Sequence, residues 1–161
     1  MSHKRERVII GSLAVICLAG VIRICTTHAQ DRVPAVEGDT CLNQPDLTVP
    51  YLVVSPTTQS IGENVQLSDS VSNGCANTYA STTTKIYIGT NTNSLSCLWT
   101  THLAPGLAKG KTSWWSNTIS VPTCAVAGVT NYISIVADGG GSLAEFRENN
   151  NTSSIPIFIN P

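Results

Sequence analysis

From residue 46 onward apolar and polar residues alternate in short runs separated by turn residues, and no run carries a helical apolar period. The first run, 47–54, predicts a strand. Its inward parity, Leu47 and Val49, shifts to Leu52 and Val54 across Pro50. A proline cannot donate to a ladder, so the shift predicts a kink where an edge strand changes partner sheet. The second strand places Val65, Leu67 and Val71 on one face and stops at the turn pair Asn73-Gly74. Asp69 shares that apolar parity, which predicts either a bulge that turns it out or a hydrogen bond inside the core. Strands follow at 82–88, with Ile86 and Ile88 inward, at 97–103, and at 112–121. The last of these puts Trp115, Ile119 and Val121 on one parity and Trp114 on the other. A sixth strand uses Ile133, Ile135 and Ala137, and a seventh uses Ile155, Ile157 and Ile159, where Pro156 marks an edge or a local irregularity. Seven strands in this span predict an all-β fold: a seven-stranded antiparallel sandwich of the immunoglobulin or fibronectin-III kind, over residues 46–161.

The beginning of the chain follows different rules. Lys4, Arg5 and Arg7 precede the apolar run 8–22, and Thr27-His28-Ala29 supplies small residues where signal peptidase needs them. Arg23 ends the run short of the roughly twenty apolar residues that a membrane span requires. Residues 1–29 are therefore expected to be a signal peptide, with no stable membrane span after cleavage. Residues 30–45, polar and punctuated by prolines, are expected to form an N-terminal arm.

Removing that segment changes the charge. Arg32, Lys85, Lys109, Lys111 and Arg147 remain against nine acids. No basic patch survives, which argues against nucleic acid and anionic membranes as partners. Four cysteines remain, Cys41, Cys75, Cys97 and Cys124, with no CxxC spacing. Behind a secretion signal an even count reads as disulfides, and His102 as the one remaining histidine makes a zinc site a poor alternative. Successive loops of a sandwich alternate between its two poles. Cys41 and Cys75 fall at one pole, Cys97 and Cys124 at the other, so Cys41–Cys75 and Cys97–Cys124 are the expected bridges.

Several of these landmarks resemble, in order, those of the bacterial cell-adhesion-related domain abbreviated CARDB. They are Pro45-Asp46-Leu47, Ser55-Pro56, Gly62, Asn73-Gly74, Leu103 with Gly106, Val121-Pro122, Ala137-Asp138 and the acidic Glu145 to Asn150 segment. The chain departs from that pattern in its four cysteines, in Asp69, and in Asn131, where the family tends to have an aromatic residue. The resemblance implies a non-catalytic sandwich module, secreted, cell-surface or periplasmic, associated with adhesion. Its expected partner is a protein or a cell-envelope or glycan ligand.

Candidate chemistry is sparse. Nucleophilic catalysis has only His102 to draw on, and no serine sits in a GxSxG setting, so His102 is expected on the surface and no enzyme is predicted. Glu145 and Glu148 with Asp138 form a carboxylate group of the kind glycosidases use, but on a loop with no cleft or aromatic floor the general acid is not expected to have a raised pKa. No cofactor is required. Calcium is the candidate ion, since Asp46, Asp138, Glu145, Glu148 and Asn150 fall at one pole and hard cations take carboxylate and amide oxygens. The alternative is that these side chains cap and tie the last hairpin. An exposed Trp114, with Trp99, is the candidate carbohydrate-binding face. Asn150-Asn151-Thr152 and Asn151-Thr152-Ser153 read as overlapping glycosylation sequons.

Overall fold

The computed structural model describes Cys41, residues 43–93 and residues 95–161. The expected signal peptide and most of the N-terminal arm lie outside the described residues. Among the described residues there are eight strands: β1 (Leu47–Ser55), β2 (Thr58–Gln59), β3 (Asn64–Asn73), β4 (Thr82–Gly89), β5 (Cys97–Ala104), β6 (Thr112–Ser120), β7 (Thr130–Val136) and β8 (Thr152–Ile159). They form two sheets, β1-β3-β6 and β2-β8-β7-β4-β5. The fold is the all-β sandwich that the alternation predicts. The strand beyond the expected seven is β2, whose two residues pair in parallel with Phe158 and Ile159 and are too few to show as a pattern. Among the described residues no helix is long and apolar enough to cross a membrane.

Two-residue periodicity in the sequence becomes two facing apolar layers. In the larger sheet Ile88 lies opposite Ile133 and Ile133 opposite Ile155, while Ile86 lies opposite Ile135. Ile157 and Ile159 extend this layer along β8. Leu47, Val49 and Val54 from β1, with Val65, Leu67 and Val71 from β3, supply the other layer. Burying each such side chain stabilises the fold by about 1.5–3 kcal/mol.

Pro50 does not move β1 to another sheet. The register slips between Thr48 and Tyr51, but both halves of the strand pair with β3, so the proline sits in a bulge within one sheet. The ten residues of β3 are long enough to partner β1 on both sides of that bulge. Pro156 lies where β8 faces β7 on one side only, because β2 reaches no further than Phe158. A missing donor is tolerated at such an edge.

Asn73 ends β3 as a buried junction. Its Oδ1 accepts from the backbone N–H of Asp46 (3.1 Å) and Cys75 (3.1 Å). Its Nδ2 donates to the carbonyls of Ala76 (2.7 Å) and Leu107 (3.0 Å). One amide thus uses both its donor hydrogens and both its acceptor sites to join three segments: the entry to β1, the turn after β3 and the loop at Leu107. Asn131, one of the departures from the family pattern, acts similarly. Its side chain accepts from Val126 N–H and donates to the carbonyls of Val126 and Val129, fixing the loop ahead of β7.

Two disulfides join Cys41 to Cys75, with Cα atoms 5.5 Å apart, and Cys97 to Cys124, 6.2 Å apart. These are the pairs that strand order predicts.

Candidate functional site

Alternation along β3 buries Val65, Leu67 and Asp69 and turns Gln66, Ser68, Ser70 and Ser72 to the outer face of the smaller sheet. On one side β6 sets Trp114 beside Ser70, Ser116 beside Ser68 and Thr118 beside Gln66. On the other, β1 sets Tyr51 beside Ser70 and Val53 beside Ser68. Tyr51 and Trp114 lean together over the central strand, ring centroids 5.2 Å apart at 62°, an edge-to-face pair. Trp114 is nevertheless 67% exposed and Tyr51 41%, so both rings are available to a partner. Between them Ser70 is completely buried, and its hydroxyl has no hydrogen-bond partner.

A polar ladder runs along the strands from this aromatic pair. Gln66 Nε2 donates to Ser116 Oγ (2.7 Å), Ser116 bonds Ser68 (2.7 Å), and Thr118 Oγ1 donates to Gln66 Oε1 (3.3 Å). On the other side of the aromatic row Ser72 bonds Thr112 (2.6 Å). None of these positions carries a charge. The sequence singled out Trp114 but not Tyr51 or the ladder. Gln-x-Ser-x-Ser-x-Ser at 66–72 is the signal that identifies the polar face. Trp99 does not join Trp114: its indole donates to the Ser120 carbonyl (2.8 Å), and its ring packs against the core.

The acidic pole is a second cluster. Asn150 Nδ2 donates to Asp46 Oδ1 (2.9 Å), and Asn151 Nδ2 donates to Glu145 Oε1 (2.9 Å). Glu145 Oε2 accepts from the backbone N–H of Leu47. Glu148 Oε1 accepts from Glu145 N–H (2.8 Å), and the Phe146 N–H donates to the Pro45 carbonyl (2.8 Å). Asp138 closes its own turn, accepting from Ser142 Oγ (2.6 Å) and Leu143 N–H (2.7 Å). The five residues nominated for calcium thus meet at one pole, each making a hydrogen bond within it, while Oδ1 of Asn150 is buried without a partner. Among the described residues no group of three or more His, Cys, Asp or Glu side chains is placed to hold a metal ion. Contrary to the expectation from sequence, burial pushes the Glu145 carboxyl up to about 7; the Leu47 N–H opposes the rise, and Glu148, Asp138 and Asp46 add to it.

His102 is not on the surface. It lies on β5 opposite Thr84 and stacks on Trp115 across the sandwich, centroids 4.6 Å apart and planes within 5°. Its Nε2 is 3.0 Å from Oδ2 of the fully buried Asp69. Asp69 therefore resolves as an inward, bonded carboxylate. Inward parity is what brings the two together, one from each sheet. The pair resembles two-thirds of a hydrolytic triad, but Nδ1 of His102 has no partner and the site is closed to substrate. Thr84 Oγ1 and Asp69 Oδ1 are also buried without partners.

Comparison with known proteins places this architecture. The CARDB family model matches residues 44–155. Among solved structures, the CARDB domain of a Pyrococcus furiosus protein, in complex with di-metal ions, aligns over 73% of this chain and 96% of its own, at 18% identity and a TM-score of 0.56. Residues 272–376 of a putative cell surface protein from Methanosarcina acetivorans align over 72% of this chain and 92% of their own, at 14% identity and a TM-score of 0.50. No curated protein matches the chain. With the family model spanning nearly all of both sheets, the chain belongs to the CARDB family.

Proposed function

We propose that this protein is a non-enzymatic adhesion-type module that works outside the cytoplasm and engages its ligand through the outer face of the β1-β3-β6 sheet. The observation that carries the reading is the Tyr51–Trp114 pair, two large aromatic rings exposed side by side on an uncharged sheet face. Exposed aromatic anchors of this kind dominate binding energy at recognition surfaces. Family membership and the two disulfides support an oxidising, extracytoplasmic setting. Among the described residues the one histidine–carboxylate pair, His102 with Asp69, is buried, which supports a non-catalytic role.

Sedimentation with isolated cell envelopes tests this. Wild-type protein should co-sediment, and Trp114→Ala should reduce the bound fraction by about tenfold, the size expected for losing a hot-spot aromatic. Undiminished binding by the variant would reject the face. The acidic pole we read as a hydrogen-bonded clamp that joins the start of β1 to the segment before β8, with no metal needed to hold it. Melting with millimolar calcium, and with magnesium as control, should leave the midpoint unchanged. A calcium-specific rise would restore the ion-binding reading.

A further inference from the structure

We infer that the outer face of the β1-β3-β6 sheet binds a neutral, hydroxyl-rich glycan chain, with one sugar ring against Tyr51 and Trp114 and its neighbour over the ladder of Gln66, Ser68 and Ser116. The inference rests on the reading of this face as the recognition surface and adds the chemistry of the ligand.

Charge decides first. The outward positions of all three strands around the aromatic pair carry no acid or base, so an anionic or cationic polymer finds no complement there. Backbone availability decides next. β3 pairs with β1 on one side and β6 on the other, so its peptide groups are engaged in ladders across the middle of the face. A peptide adding as a strand would need free backbone groups, which this sheet offers only at its two rims, the outer edges of β1 and β6, and not over the ladder.

Those side chains are suited to hydroxyls. Ser, Thr and Gln each both donate and accept, and the one or two bonds that each makes within the ladder leave capacity for another. The mutual bonds Gln66–Ser116 and Ser68–Ser116 also hold the groups in fixed positions before a ligand arrives. Preorganisation lowers the ordering cost of binding. The tilted aromatic pair supplies what the ladder lacks, an apolar surface for the C–H face of a sugar ring. From the Gln66 row to the Ser72 row is six residues of strand, roughly 20 Å, long enough for an oligosaccharide and not merely for one ring.

Affinity electrophoresis of the purified protein in gels containing mixed-linkage β-glucan, xylan, galactomannan or starch tests the inference, with alginate as the anionic polymer. A proline-rich peptide, followed by tryptophan fluorescence, tests the competing class of ligand. At least one neutral polysaccharide should retard the wild-type protein, with little dependence on salt. Trp114→Ala should weaken that binding by about tenfold. A Ser68→Ala/Ser116→Ala variant, which leaves both rings in place, should weaken it by roughly threefold, as expected for lost neutral hydrogen bonds. Thermal melts establish that each variant is folded. The inference fails if no neutral polymer retards the protein, if only alginate or the peptide binds, or if retardation survives Trp114→Ala. Trp114-dependent binding to envelopes without any glycan binding would overturn this inference and leave the proposed function standing. Envelope binding independent of Trp114 would overturn both.

Discussion

Replacing Glu145 by Gln isolates one buried charge, and its effect on stability can be worked out with its sign. Glu145 is 6% exposed, and its carboxyl is pushed from 4.5 to about 7, chiefly by burial. A raised carboxyl pKa means that the folded state prefers the protonated form. The resulting stability is complete below pH 4.5, declines as pH rises, and is gone above about 7. Each pKa unit corresponds to about 1.4 kcal/mol, so the full difference is on the order of 3 kcal/mol. Gln keeps a carbonyl oxygen for the Leu47 N–H and removes the titration. Its amide group meets Asn151, whose own amide turns over to present oxygen. The stability difference, variant minus wild type, should therefore rise by about 3 kcal/mol between pH 4 and pH 8, most steeply between 4.5 and 7. Urea unfolding followed by tryptophan fluorescence across that range gives the two curves. With a urea slope of about 1–2 kcal/mol per molar, the midpoints should separate by roughly 2 M. Parallel curves would refute the argument, as would a variant that loses ground with rising pH, since the carboxylate would then be the favoured form.

Three further outcomes follow from the same geometry. Asp69→Leu or His102→Leu alone should destabilise by about 3–5 kcal/mol by leaving a buried group unpaired, while the double variant should recover much of the loss, as a double-mutant cycle in urea will show. Asn73→Ala should cost at least 2 kcal/mol by the same assay, because it deprives two N–H donors and two carbonyls of their partner at once. Reducing either disulfide should cost about 3–4 kcal/mol in the chain-entropy model, and non-reducing peptide maps should yield only Cys41–Cys75 and Cys97–Cys124 peptides.

Where periodicity governs, the sequence was readable. Ile86, Ile88, Ile133, Ile135, Ile157 and Ile159 are buried on the parities that alternation assigns, because one buried face specifies the register of a strand. Disulfide pairing was legible for a related reason, since strand order alone separates the cysteines into two poles. What was hidden depends on contacts between the sheets. Nothing near Asp69 in sequence shows that His102, thirty-three residues away, will meet it, and an isolated histidine in a polar run reads as a surface residue. Trp99 and Trp114 looked alike as exposed aromatics because sequence shows a tryptophan's parity but not whether its indole finds a carbonyl such as that of Ser120. The acidic pole was visible as a convergence of residues. Its hydrogen-bond pattern, which commits Glu145 to Leu47 and Asn151, comes only from the folded chain.

The central claim is that one face of the sandwich, and not the other, is the recognition surface. Hydroxyl-radical footprinting of the protein bound to isolated cell envelopes tests it directly, because both sheets expose reactive side chains. Tyr51 and Trp114 mark the outer face of the smaller sheet; Leu98, Leu103 and Phe158, on β5 and β8, mark the larger one. Protection of Tyr51 and Trp114, with Leu98, Leu103 and Phe158 still oxidised, is the predicted result. Protection of Leu98, Leu103 and Phe158, with Trp114 still fully reactive, would contradict the account.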